Sequence, residues 1–257
     1  MESTFSTDFC CYAWWSSLTA VSCKNKVTLV KKDVTPMETF LFFALGFGYL
    51  VLLIWALKLS GNDGLFNLSN VLLLVIFGLI YDNVIIAIGS FIGEGLLLEN
   101  LNYIRYWLHA LFTPTLILFA WSICSWSHLP WAKKTFWKVL AYLLTTGLIL
   151  YELFTSVRGL NLEPTWENGI LTYDSTGHSG SPFMVIIITL VLGIVGIIFF
   201  IKFRFYWLIA GIVVMTLGSI LGMWLTYAPL MNVWEFVLIL SLLLTKQYLI
   251  KNVKTNF

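Results

Sequence analysis

The stretch Val185–Phe200, VIIITLVLGIVGIIFF, holds no charged residue and shows no alternation of polar with apolar positions. Val71–Ile80, VLLLVIFGLI, reads the same way. In lipid every backbone N–H and C=O must find a partner inside the protein, which leaves helices and closed barrels as spanning structures. Barrel strands alternate polar and apolar side chains, so these two runs predict membrane-spanning α-helices. A span needs about 20 apolar residues to cross a hydrocarbon core of roughly 30 Å. Outward from these two, such runs fill the chain at approximately 39–59, 69–91, 103–126, 135–156, 182–202, 205–227 and 230–250. The predicted fold class is all-α: a polytopic integral membrane bundle of seven transmembrane helices, one domain over 37–257.

Composition agrees. Of 257 residues, 59% are apolar and 11% charged, against about 25% charged in a soluble domain. That leaves too little polar surface to cover a water-soluble globule. The expected partner is the lipid bilayer itself. A net charge of +2 gives no ground for a nucleic-acid partner. Cys10, Cys11, Cys23 and Cys124 form no CxxC pair, and no histidine stands at zinc-ligand spacing, so neither a metal nor another cofactor is expected. Cys124 lies within an apolar run and reads as a small packing residue.

Residues 1–36 are polar and carry Lys24, Lys26, Lys31 and Lys32, without the apolar core of a cleaved signal peptide. They predict a poorly ordered tail that touches the membrane surface through Trp14 and Trp15. A second expectation is that translation starts at Met37. The longest and most polar connection is 157–181, with Arg158, Glu163, Pro164, Glu167, Gly169 and Asp174. Loops of that length in a compact domain are often functional.

Lysine and arginine in the short loops predict orientation. Lys58, Lys133, Lys134, Lys138, Lys202, Arg204, Lys251 and Lys254 fall on one side, and Arg105 and Arg158 with several acids on the other. This places the C-terminus in the cytoplasm and the N-terminus outside, although the four lysines of the tail oppose it. Trp121, Trp126, Trp131 and Trp137 bracket the lysine-rich third loop, where aromatic rings favour the headgroup level.

A charge at the centre of a membrane helix costs about 2.5–3.5 kcal/mol on insertion scales, so one that persists faces the interior and finds partners. Asp82 and Asn83 in the second span, Arg105 and His109 in the third, Glu152 in the fourth, and Asn232 and Glu235 in the seventh are such residues. Counted from the helix ends, all fall in the half of the membrane beneath the 157–181 loop, with Arg105 at the rim. Arg105 and His109 are spaced i,i+4 and share a helix face, which Thr113 extends. Pro114 removes a backbone hydrogen bond and should kink the third span, opening room beside that face. Tyr81, Asp82 and Asn83 fan around their helix and cannot all point inward. Expected pairs are Arg105 with Glu152 or Glu94, and Asp82 with His109. Lys246 is expected to snorkel to the cytoplasmic interface. The Gly89/Gly93 and Gly218/Gly222 spacings permit close helix packing.

Two functional expectations follow. In the first, the protein is an enzyme acting on a lipid or isoprenoid by proton transfer. A carboxyl group in apolar surroundings can hold a proton near neutral pH and act as a general acid while a second group takes one back. Asp82, His109, Glu152 and Glu235 are the expected catalytic residues. Asn83, Arg105, Asn232 and Arg158 are the expected substrate-binding residues, a guanidinium being suited to a phosphate or carboxylate head group. In size, helix count and acids within helices the chain is similar to small seven-helix terpene cyclases. That resemblance implies Asp82 as the proton donor. In the second expectation the chain is a non-enzymatic carrier, sensor or accessory subunit whose buried polar residues bind or brace. Confinement of those residues to one half of the membrane counts against a carrier, which needs access from both sides.

Overall fold

The computed structural model describes residues 36–61, 67–176, 183–222 and 229–253. Residues 1–35 of the predicted tail, with Trp14, Trp15 and three of the cysteines, lie outside the described residues, and Pro36 begins a helix. The chain is a bundle of apolar α-helices: six long enough to cross a membrane and a shorter seventh. Helix α1 runs Pro36–Gly61, α2 Val71–Ile92 after a 3-10 turn at Leu68–Asn70, and α3 Leu96–Phe112. Helix α4, Leu116–Trp126, continues α3 through a 3-10 turn at Thr113–Thr115, so the two form one span. Helix α5 covers Thr135–Glu152 and ends in a π turn, Leu153–Val157. Helices α6, Phe183–Phe203, α7, Trp207–Gly222, and α8, Pro229–Val253, complete the bundle.

Local chemistry explains the boundaries. Pro36 occupies the first position of α1, where its missing N–H costs nothing. Asn67 Oδ1 accepts from the Ser69 backbone N–H at 3.2 Å and caps the 3-10 turn ahead of α2. Gly93, at φ 81°, closes α2. Pro114, itself buried, breaks the third span where the sequence predicts a kink. The third span starts seven residues earlier than predicted, at Leu96 rather than 103. Glu99, Asn100 and Asn102 dilute the hydropathy of that first part, although its backbone is helical. Arg105 consequently sits nine residues inside α3, deeper in the helix than a rim position.

The α3–α4 span is the hub. Its most apolar window is 61% buried within the protein, against 28–39% for the other five long spans. Helix α1 shows how the outer helices sit. Phe42, Leu45, Tyr49, Leu52, Ala56 and Leu59 are buried at alternating spacings of three and four, while Phe40, Phe43, Phe47, Leu50, Ile54 and Leu57 stand exposed where lipid would lie. Lipid is as apolar as these side chains, so close packing rather than the hydrophobic effect joins the helices. Glycines allow it: Gly218 accommodates the Trp234 ring and Gly211 the Ser241 side chain, both on α8.

Of the predicted 157–181 loop, the described part, residues 157–176, is not irregular. Strands β1, Leu162–Glu167, and β2, Ile170–Ser175, form an antiparallel hairpin, with Glu167 opposite Ile170. The connecting pair Asn168-Gly169 has φ of 48° and 84°, the left-handed geometry of a tight two-residue hairpin turn. The hairpin packs its β2 face on α2 and α3. Gly89 makes this possible, since a Cβ there would collide with the Leu171 carbonyl oxygen. The Gly89/Gly93 pair therefore seats a strand and ends a helix, where helix-on-helix packing was expected.

Lys246 also departs from expectation. It is 1% exposed, and its Nζ donates to Ser60 Oγ at 3.0 Å and to Asn70 Oδ1, tying α8 to the α1–α2 connection. Snorkelling would give up both of these charge-assisted hydrogen bonds and leave Ser60 Oγ and Asn70 Oδ1 with their bond to each other at 2.6 Å. Keeping the ammonium inside gives the buried charge its hydrogen-bond partners.

Candidate functional site

A cavity of about 240 Å³ opens between α2, α3 and α8. Asp82, Arg105, Tyr106, His109, Thr113, Asn232 and Glu235 supply its polar lining, and Val75, Leu79 and Phe112 part of its apolar wall. The residues come together for reasons of spacing. Asp82 lies ten residues before the end of α2 and Arg105 nine residues after the start of α3. With the short Gly93–Gly95 connection between two antiparallel helices, those positions fall at matching depth.

Arg105 and Asp82 form an ion pair, Nε to Oδ1 at 2.7 Å, with the side chains 16% and 27% exposed. Arg105 Nη1 donates to Asn102 Oδ1 at 2.6 Å. Asn232 Nδ2 is shared between Asp82 Oδ2 at 3.3 Å and Asn83 Oδ1 at 3.2 Å. Asn83 is fully buried and donates to the Leu79 carbonyl one turn back, so it braces the network from behind. His109 Nδ1 lies 3.3 Å from Thr113 Oγ1, on the face predicted from their spacing. Tyr81 turns away from Asp82 and donates to the Leu101 carbonyl at 3.1 Å. Among the described residues Glu235 makes no hydrogen bond.

A second, smaller cavity of about 70 Å³ adjoins the first. Leu116, Ile188, Leu192, Met215, Leu238 and Ile239 make its wall mainly apolar. Five residues, Val75, Leu79, His109, Thr113 and Glu235, line both. His109 and Glu235 thus stand at the seam between a polar and an apolar compartment.

Two expected site residues lie elsewhere. Glu152 is buried but does not line the cavity, its Oε1 accepting from Ser156 Oγ at 2.6 Å and its Oε2 without a partner among the described residues. The π turn that follows Glu152 is a local departure frequent at functional sites. Arg158 is exposed beyond that turn, its guanidinium 5.7 Å from the Phe154 ring, and does not line the cavity. The ion pairs differ from expectation as well. Arg105 takes Asp82, while Glu94 accepts from Trp166 Nε1 of the hairpin at 2.7 Å.

Two contributors were not foreseen. Asn102, fully buried, holds the second nitrogen of Arg105. Its position three residues before Arg105 on the same helix face is the signal that could have found it. Tyr106 lines the cavity and accepts the Ser175 backbone N–H at 3.3 Å, which joins the site to the hairpin.

Fold and site together define a multi-pass helical membrane protein with a polar cavity inside its bundle. Comparison of the chain with models of protein families, with curated proteins and with solved structures gives no match.

Proposed function

We propose that the protein is a membrane-embedded enzyme that binds an amphiphile, a lipid or an isoprenoid, and acts on it by proton transfer. The observation that carries this reading is the seam. A carboxyl group and an imidazole, Glu235 and His109, line a polar and an apolar cavity at once. A molecule with a polar head and an apolar tail would lie across it with the bond between them beside both groups. Arg105, Asn232 and Asp82 would hold the head, and Leu192, Met215 and Leu238 the tail.

In this reading one of the two seam groups gives a proton to the substrate and the other removes one, leaving no net change in oxidation state. Asp82 is engaged by Arg105 on one oxygen and Asn232 on the other, so in this reading it holds and orients rather than donates. This shifts the donor role implied by the terpene-cyclase resemblance from Asp82 to the seam. Glu152 would act from behind, and Asn83 would position Asn232. With the lysine-rich loops in the cytoplasm, the cavity and hairpin face outside.

A second reading is favoured by one feature. Both oxygens of Asp82 and two nitrogens of Arg105 are already satisfied within the protein, as a purely bracing network in a sensor or accessory subunit would require. Cells with the wild-type chain and cells with Glu235→Gln, compared by mass spectrometry of their lipid extracts, separate the two. The enzyme reading expects a lipid species that changes with wild type and reverts with a fully inserted Glu235→Gln protein. Identical extracts from both, at equal amounts of inserted protein, would overturn it.

A further inference from the structure

A third pocket, sharing no lining residue with the other two cavities, lies between α4, α5 and α6. Its volume is about 150 Å³, and its walls are apolar, including Trp121, Trp131, Trp137, Ala141, Leu144 and Val195. It opens on the outer surface of the bundle, where Trp137 is 40% and the neighbouring Ile194 60% exposed. The Trp131 and Trp137 rings meet edge to face at 5.2 Å, and Trp121 Nε1 donates to the Ala132 carbonyl at 3.1 Å, so the aromatic rim is fixed in place.

The charge around this rim has one sign. Residues 127–138 hold Lys133, Lys134 and Lys138 and no acid, and all three lysines are exposed. Helix α5 carries the pocket stripe at Trp137, Ala141 and Leu144, spacings of four and three. Lys134 lies three residues before Trp137, and Lys138 three before Ala141. The stripe therefore runs from cationic at the helix start to apolar within the bundle. Lysines beside a membrane interface attract anionic head groups, and indole rings favour the depth at which a head group joins its chains.

We infer that this pocket is a binding site for one anionic glycerophospholipid, an acyl chain lying in the groove and the phosphate among Lys133, Lys134 and Lys138. Charge complementarity commits the site to an anionic lipid. A zwitterionic lipid offers the same chains with a choline that the lysines repel. Three lysines near the head group correspond to a preference of at least about tenfold for the anionic lipid. The inference does not depend on the role of the polar cavity.

The full chain in detergent, exposed to equal amounts of phosphatidylglycerol and phosphatidylcholine, is examined by native mass spectrometry. Wild type is expected to retain one phosphatidylglycerol in preference to phosphatidylcholine. The surface variant K133Q/K134Q/K138Q, which touches only exposed side chains and the Lys133–His128 contact at 2.8 Å, should lose the preference and bind both equally. Ala141→Phe, which fills the groove, should lose both adducts. Equal retention of the two lipids by wild type, or an unchanged phosphatidylglycerol preference in the triple variant, overturns the inference. If Ala141→Phe does not fold, the triple variant alone decides.

Discussion

Replacing Asp82 by Asn keeps the shape of the side chain and removes its charge. Asp82 accepts from Arg105 Nε on one oxygen and from Asn232 Nδ2 on the other. An amide offers only one acceptor. If its oxygen faces Arg105, its NH2 meets the NH2 of Asn232, donor against donor. If it flips, Arg105 Nε loses its acceptor and only the Asn102 contact remains. Breaking a buried ion pair costs about 3–5 kcal/mol, because the remaining charge is stranded. Here the side chains keep 27% and 16% of their exposure, so water entering the cavity relieves part of that, and roughly 2 kcal/mol is expected after screening. That corresponds to about a 30-fold shift in the unfolding equilibrium. The assay is a double-mutant cycle of Asp82→Asn, Arg105→Gln and the pair, with unfolding of the reconstituted protein followed by steric trapping. Each single variant should lose stability, and the pair should lose less than the sum by about 1 kcal/mol or more. Additive losses within about 0.5 kcal/mol would mean the two residues do not interact, and the account of how the cavity is held would be wrong.

Other changes should behave differently. Glu235→Gln removes no hydrogen bond to a described residue, so its stability should stay within about 1 kcal/mol of wild type while any lipid conversion is lost; the same reconstituted unfolding assay checks the first half and lipid mass spectrometry the second. Gly89→Leu places a side chain against the Leu171 carbonyl and should cost about 1–3 kcal/mol as the hairpin lifts, seen as faster proteolysis within residues 162–175. Lys246→Ala removes the charged donor to Ser60 and Asn70 and should cost about 1.5–3 kcal/mol; unchanged thermal stability in detergent would instead favour a lysine that reaches for the interface.

The spans were legible because residues such as Val185–Phe200 admit no other backbone solution in lipid. Pro114 likewise announced its own break. The rotation of each helix was not legible. In α1, Phe42 faces the bundle and Phe43 the exterior, and both are phenylalanine. A helix apolar on every side carries no pattern that says which face is buried. The same gap hid the partner of Arg105: its spacing with His109 defines a face, but only the rotation of α2 brings Asp82 rather than Glu152 opposite. The hairpin is hidden in the sequence despite the Asn168-Gly169 pair, because the surrounding Pro, Glu and Asp read as loop. Lys246 shows that a lysine near a helix end is pulled inward when buried acceptors outweigh the reach to water.

Protein copies confined to a bilayer diffuse in a plane and keep a common upright orientation, so any sticky strip on one meets its likeness on another repeatedly. The β1 strand is the outward rim of the two-stranded ribbon, and a bare ribbon rim invites a neighbour's backbone to zip against it. Here that rim carries Pro164, which has no N–H to give, between Glu163 and the more distant Glu167. A second copy would meet a gap in the ladder and like charge on either side of it. Crowding should therefore not stitch these molecules into ribbons through their hairpins, and replacing Pro164 with Val and both acids with Thr is the change that would expose them to it.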